Sequence, residues 1–176
     1  ATGSILVAKI VNMGNLNLGT NVFTDGAAMP TVTELGASNV TASALIGVVT
    51  TALNVTPGAL TVTYVDQNGN AAEASASHTL NASANIGDGG AVLLNGEDWG
   101  VRDVTAAAQS GGAAPTGVVT FYGIVPLAMM YGCANASNGP GVSCMEDLLV
   151  SSPHVLRLGA GDEIGIFTMN TGNQVG

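Results

Sequence analysis

The chain of 176 residues carries three cations, Lys9, Arg102 and Arg157, against twelve carboxylates, for a formal net charge of −9. So few Lys and Arg side chains cannot neutralise a phosphate backbone, which excludes electrostatic binding of DNA or RNA, and they cannot form the basic cluster that binds an anionic membrane. With 9% charged and 47% apolar residues, part of the surface is expected to face other protein rather than water.

Aromatic residues make up 4% of the chain, and there are 25 glycines. The large core side chains are therefore Val, Leu and Ile. With abundant Thr, Asn and Gly, they favour strands joined by tight turns over helices. No apolar run approaches the roughly 20 residues of a membrane-spanning helix. The start, Ala1 to Lys9, lacks a basic leader and a long apolar segment, so no signal peptide is expected and synthesis in the cytoplasm is the simpler reading.

In chain order, the first expected strand is Ser4 to Asn12. The Asn- and Gly-rich stretch from Asn12 to Gly26 reads as a loop, and 12–30 as an extended arm able to lie over a neighbouring subunit. Strands are expected at Ala42 to Leu53 and at Ala59 to Asp66, where Leu60, Val62 and Tyr64 alternate with Thr61, Thr63 and Val65. Asn68-Gly69 then predicts a two-residue type I′ hairpin turn, with a return strand from Ala72 to Leu80. A turn over Asn85 to Gly90 leads to a short strand, Ala91 to Asn95, and Gly96 to Gly100 turns into a strand over Val101 to Ala107. Gln109 to Gly117 reads as a loop, and Val118 to Met130 as a long strand with Pro126 at a bulge or edge. Ser143 and Glu146 form a capping box that opens a short helix near 144–150, ended by Pro153. Val155 to Leu158 and Glu163 to Met169 close the chain as strands. Turns every 8–12 residues predict an all-β fold: one β-sandwich domain over residues 1–176, jelly-roll-like.

Cys133 and Cys144 flank a Gly-, Asn- and Ser-rich loop. They are a candidate disulfide, worth roughly 2–3 kcal/mol in the chain-entropy model, or two free thiols. Asp66, Asn68, Asn70 and Glu73 loosely follow the spacing of a calcium loop, but Gly69 falls at the fourth place instead of the sixth and strands flank it, so the hairpin is the preferred reading. His78 and His154 lack partners at metal or triad spacing and read as structural. The sequons at Asn39, Asn54, Asn81 and Asn135 occur at the frequency such a composition produces by chance. No catalytic residue, metal or cofactor is expected. Trp99 and Arg102, beside Asp98 and Asp103, read as a buried Trp with a structural ion pair, or else as subunit contacts. Met129 and Met130 read as core, with a subunit contact as the second reading.

Four segments carry a family likeness: Ile46-Gly-Val-Val-Thr-Thr-Ala-Leu53, Leu60-Thr-Val-Thr-Tyr-Val-Asp-Gln-Asn-Gly69, Gly96-Glu-Asp-Trp-Gly-Val-Arg-Asp-Val104 and Gly123-Ile-Val-Pro-Leu-Ala128. In this order, from about Ala42 to Met130, they resemble structural proteins of tailed-bacteriophage virions of the capsid-decoration or minor-head type. The chain departs from that pattern by Glu97, inserted into a Gly-Asp pair, and by lacking an Arg after the hairpin turn. Leu158-Gly-Ala-Gly-Asp162 is also similar to the closing strands of trimeric jelly rolls. The resemblance implies a virion protein, assembled in the host cytoplasm, that bridges capsomers on the outer shell. Its implied partners are the major capsid protein and copies of itself, a trimer being favoured, with no nucleic acid and no membrane. The alternatives are a head-fibre, neck or tail protein, or a secreted adhesin or surface-fibre subunit.

Overall fold

The computed structural model describes residues 3–29, 41–54, 58–80, 83–110, 116–131 and 163–170. Nine strands are found among them: β1 (Gly3–Asn17), β2 (Val22–Asp25), β3 (Ala44–Thr51), β4 (Ala59–Asp66), β5 (Glu73–Ala74), β6 (Gly89–Ala91), β7 (Val101–Ser110), β8 (Val118–Tyr131) and β9 (Glu163–Asn170). The fold is all-β, in two antiparallel sheets. No helix occurs among the described residues; the segments expected as a helix near 144–150 and as a strand at Val155 to Leu158 lie outside them.

Two compact units are distinguished. One comprises Ala1–Ile10 with Val125–Gly176, the other Val11–Ile124. In the first, the opening half of β1 pairs antiparallel with β9, from Gly3 opposite Asn170 to Ile10 opposite Glu163.

The second unit contains the core. One sheet runs in the order β2-β1-β8-β3-β6 and the other in the order β5-β4-β7. Alternation buries one face of β3 and of β4. On β3 these are Leu45, Gly47 and Val49, opposite Gly123, Phe121 and Val119 of β8. On β4 they are Leu60, Val62, Tyr64 and Asp66. On β7 the buried Val101, Val104 and Ala107 recur every third residue. The reason is two register shifts against β4, between Thr63 and Tyr64 and between Val65 and Asp66. Each inserts one extra β7 residue, Thr105 and Arg102 respectively, so the strand bulges and still returns its apolar side chains to the core.

Hydrogen bonds also join segments that flank the strands of the two sheets. Ala42 and Val101 exchange both backbone bonds, at 2.8 and 2.9 Å, and Ala76 N donates to Leu93 O at 2.9 Å. Just before β2, Asn21 exchanges bonds with Gln109 of β7, Gln109 N to Asn21 Oδ1 at 2.9 Å and Asn21 Nδ2 to Gln109 O at 3.3 Å.

Three expectations are corrected. The stretch expected as a loop or arm over 12–30 is strand up to Asn17 and again from Val22 to Asp25. Met13, Leu16 and Leu18 are buried there, and this apolar payload outweighs the turn propensity of the intervening Asn and Gly. The return strand expected at Ala72 to Leu80 shrinks to Glu73–Ala74. Just beyond it Ser75 N still donates to Val62 O at 2.8 Å, but the returning Val62 N–H goes to the Ser75 hydroxyl at 3.0 Å instead of to a carbonyl, and the next β-bridge is His78 with Leu60. The strand expected at Ala91 to Asn95 lies instead at Gly89–Ala91. A side chain at Gly89 would collide with the Gly47 carbonyl, its Cβ falling 2.4 Å away, so a turn glycine becomes the residue that lets β6 approach β3.

Phe121 is 1% exposed and lies 6.4 Å from the Phe23 ring, centroid to centroid. Truncating it to Ala removes the largest hydrocarbon of this sheet's buried face. We expect Phe121→Ala to lower the unfolding free energy by about 3–5 kcal/mol, measured by the urea midpoint at unchanged m-value. A loss below about 1 kcal/mol would show that the face is not packed as described.

Candidate functional site

The alternation of β4 continues one step past its last apolar residue. Asp66 therefore falls on the buried face, 2% exposed. A buried carboxylate needs donors, and this one finds them in the turn that follows. Its Oδ1 accepts the N–H groups of Asn68 at 2.8 Å and Asn70 at 2.7 Å, and its Oδ2 accepts the side-chain amides of Asn70 at 2.8 Å and Asn68 at 3.4 Å. Burial pushes the Asp66 pKa up, but the Asn70 and Asn68 donors outweigh it and hold it below the ordinary aspartate value.

This capture also decides the turn type. A type I′ turn needs positive φ at both central residues, yet Asn68 is not among the non-glycine residues with positive φ, while Gly69 stands at φ 89°. Gly69 N donates to Asp66 O at 3.2 Å and Asp66 N to Asn70 O at 3.0 Å. The hairpin expected as a two-residue type I′ turn is thus a three-residue loop, Gln67 to Gly69, with glycine in the left-handed position.

Gln67, 8% exposed, carries the order onward. Its Oε1 accepts the backbone N–H of both Trp99 and Gly100 at 3.2 Å, and its Nε2 donates to Asp98 Oδ1 at 3.3 Å. The other Asp98 oxygen accepts the Tyr64 hydroxyl at 2.7 Å, and that hydroxyl in turn accepts Asn95 N at 2.8 Å. Burial, with the hydrogen bond to Asp98 next, pushes the Tyr64 pKa up to about 12, so the phenol stays a donor at any physiological pH. The β4–β5 turn and the β6–β7 loop are therefore one hydrogen-bonded unit. Between them lies a cleft of about 400 Å³ lined by Asp66, Asn68, Asn70, Glu73, Asn95, Glu97, Asp98 and Trp99, among others.

Two sequence expectations fail at this cleft. Trp99, read as buried, is 66% exposed, because Gln67 fixes its backbone N–H while its ring is left outside the core. Arg102, read as an ion-pair residue, is instead a bulge residue whose guanidinium donates to the Gln67 carbonyl, and its Nε has no partner among the described residues. As the extra residue of the bulge, Arg102 directs its guanidinium to the turn carbonyl, and adjacency in sequence does not pair it with Asp103. Asp103 Oδ1 is itself buried without a partner among the described residues. Burial, then the Asp25 charge, raises the Asp103 pKa.

His78 is half-buried, bridging to Leu60 and lining a second hollow of about 430 Å³ with Asp88 and Gly89. Cys133, Cys144 and His154 lie outside the described residues, and Met129 and Met130 fall in β8 beyond the residues whose side chains are described. Among the described residues no group of three or more His, Cys, Asp or Glu is placed to hold a metal ion. Sequence reading missed the structural roles of Tyr64 and Gln67. The signal for Asp66 was present, since it continues the Leu60, Val62, Tyr64 alternation. No family model, no curated protein and no solved structure matches the chain.

Two predictions follow from these bonds. Tyr64→Phe leaves Asn95 N without its acceptor and removes a donor from Asp98; we expect a loss of about 1–3 kcal/mol in chemical unfolding, and no loss would mean the hydroxyl bonds water equally well. The two aspartates should respond oppositely to acid. Asp66, depressed in the folded state, contributes stability present above the ordinary aspartate pKa of about 3.9 and lost as pH falls through its lower folded value. Asp103, raised in the folded state, disfavours folding at neutral pH and ceases to do so as pH falls through its raised value. Asp103→Asn is therefore expected to be more stable than the parent at pH 7 and to lose that advantage in acid, whereas Asp66→Asn should be less stable at pH 7 with a flatter acid limb. Melting curves across pH 3 to 8 read both, and a shared sign for the two variants would refute the assignment.

Proposed function

We propose that the chain is a virion structural protein, a capsid-decoration subunit that binds the major capsid protein and copies of itself on the outer shell. The observation that carries this reading is the strand order. Strands β1, β8, β3 and β6 are consecutive in one sheet, β7, β4 and β5 make the other, and β2 contacts β7, with Asn21 just ahead of it bonded to Gln109. The backbone pairing of β2 is with β1; grouping β2 with β7 instead would give β1-β8-β3-β6 and β2-β7-β4-β5, the strand order of a jelly-roll sandwich, an architecture shared by viral capsid domains, lectins and cupins, and this likeness supports the reading. Fold alone does not specify function; the composition narrows it. A chain with three cations and a net charge of −9 suits a position away from the packaged genome, and the sequence resemblance points the same way.

The action of such a subunit is mechanical. It adds apolar contact across a repeated seam, roughly 25 cal/mol for each Å² of apolar area before association costs. Large apolar side chains stand ready on the surface: Ile86 is 69% exposed, Leu93 64% and Val22 56%.

Electron microscopy of the native assembly is the direct test: density for this chain is expected where capsomers meet. Density on a neck, tail or fibre would replace the decoration reading with its alternatives. In solution, the purified chain is expected to co-sediment with shells of its major capsid protein. Burying Ile86 or Leu93 there is worth about 1.5–3 kcal/mol each, so Ile86→Asp or Leu93→Asp should weaken binding by roughly tenfold or more. A monomer with no affinity for shells or for itself would sink the proposal.

A further inference from the structure

We infer that Asn95 is a built-in site of spontaneous deamidation, and that the fold protects Asn68, the other Asn-Gly asparagine of the same cleft. Asn-Gly pairs are chemically labile because glycine leaves its amide nitrogen sterically open to attack the preceding side chain. The Gly nitrogen, losing its proton, bonds to the Asn Cγ. The Cγ–Nδ2 bond breaks and ammonia departs with that proton. Water then opens the five-membered imide at either carbonyl, giving aspartate or isoaspartate, and each event adds one negative charge.

The two pairs, Asn68-Gly69 and Asn95-Gly96, share a sequence context but not a structural one. Asn68 sits inside the turn, and the nitrogen that would attack it is the one closing that turn, Gly69 N donating to Asp66 O at 3.2 Å. Asn68 is also tied at its own N–H, 2.8 Å from Asp66 Oδ1. A Cβ at Gly69 would lie 3.2 Å from the Arg102 guanidinium, so this side of the turn is occupied. Attack there requires the hairpin to open.

Asn95 opens its turn instead of sitting within it. The bond that closes the loop is Asp98 N to Asn95 O, at 2.9 Å. Gly96 N is therefore not the closing group, and a Cβ built on Gly96 meets nothing within 4 Å. Asn95 and Gly96 are both exposed. The Asn95 side chain has a 3.4 Å bond to Glu73 Oε2, the same length as that from Asn68 Nδ2 to Asp66 Oδ2, so the two asparagines are distinguished at the glycine nitrogen and not at the side-chain amide. Deamidation replaces that bond by a carboxylate facing Glu73, in a cleft already lined by Asp66, Glu73, Glu97 and Asp98. The isoaspartyl product, with its backbone rerouted through the side chain, also misplaces the N–H that Tyr64 accepts.

The test is a time course on the full chain at mildly alkaline pH and 37 °C. Peptide mapping by mass spectrometry scores the one-dalton gain and the isoaspartyl form at each position, and it separates Asn138-Gly139, which lies outside the described residues. In the folded chain Asn95 is expected to convert severalfold faster than Asn68, to a mixture of aspartate and isoaspartate. In denaturant the two rates should converge, because only the fold distinguishes them. Equal rates in the folded chain, a faster Asn68, a folded-state ratio that persists in denaturant, or an Asn95 as protected by folding as Asn68 would each overturn the inference.

Discussion

The buried carboxylate of Asp66 is the constraint on which this end of the molecule depends. It is placed by the alternation of β4, it cannot remain ionised without donors, and the chain has almost no cations to offer. Two asparagines supply the donors instead, and in doing so they set the hairpin loop at three residues. Once the loop is set, Gln67 is directed inward. Its amide then fixes Trp99, Gly100 and Asp98, and its carbonyl takes up Arg102. The order of the β6–β7 loop is thus a consequence of a charge on β4.

The same solution recurs away from that cleft. Thr120 is 2% exposed; its hydroxyl is 2.9 Å from that of Thr50 on β3 and donates to Asn15 Oδ1 on β1 at 3.0 Å. Three strands of the larger sheet are crossed by an uncharged polar ladder. Gln109 does comparable work on β7, donating through Nε2 to Leu18 O at 2.7 Å while its Oε1 accepts Gly58 N at 3.2 Å. Neutral donors suit these sites because an amide or hydroxyl has a far smaller desolvation cost than an ion. The scarcity of Lys and Arg is therefore matched by a hydrogen-bonding economy built on Asn, Gln, Thr and Ser.

What could be read from the sequence follows from how local each signal is. The strict alternation of β4 placed that strand at its observed ends, and the long apolar run of β8 was equally plain. The position of the hairpin was legible from Asn68-Gly69, but its geometry was not, because the deciding group is a side chain two residues earlier. β1 beyond Asn12 and β2 were hidden, since Asn and Gly recur through Asn12 to Asn21 and again at Gly26, and only long-range burial of Met13, Leu16 and Leu18 overrides them. β7 reads poorly for a different reason. Its bulges convert a period of two into a period of three, and a period-of-two template ends the strand early. The cleft was missed as a whole because it joins residues 66–73 to residues 95–99, and nothing in either segment announces the other.

Bulging connects these threads. Without the bulge, β7 would keep a plain register past Val65 opposite Asp103, and position 102 would fall opposite Asp66 in place of Val101. The bulge instead directs the single described arginine beneath the turn, to a carbonyl, and leaves Asp103 partly buried beside Asp25 without a cationic partner. The backbone carbonyl of the same residue accepts Met29 N at 2.7 Å, so the irregularity also anchors the segment following β2. One inserted residue thus serves the turn through its side chain and the β2–β7 seam through its backbone. The cost is borne by Asp103, whose pKa is raised by burial and then by the Asp25 charge, with no partner for its Oδ1 among the described residues.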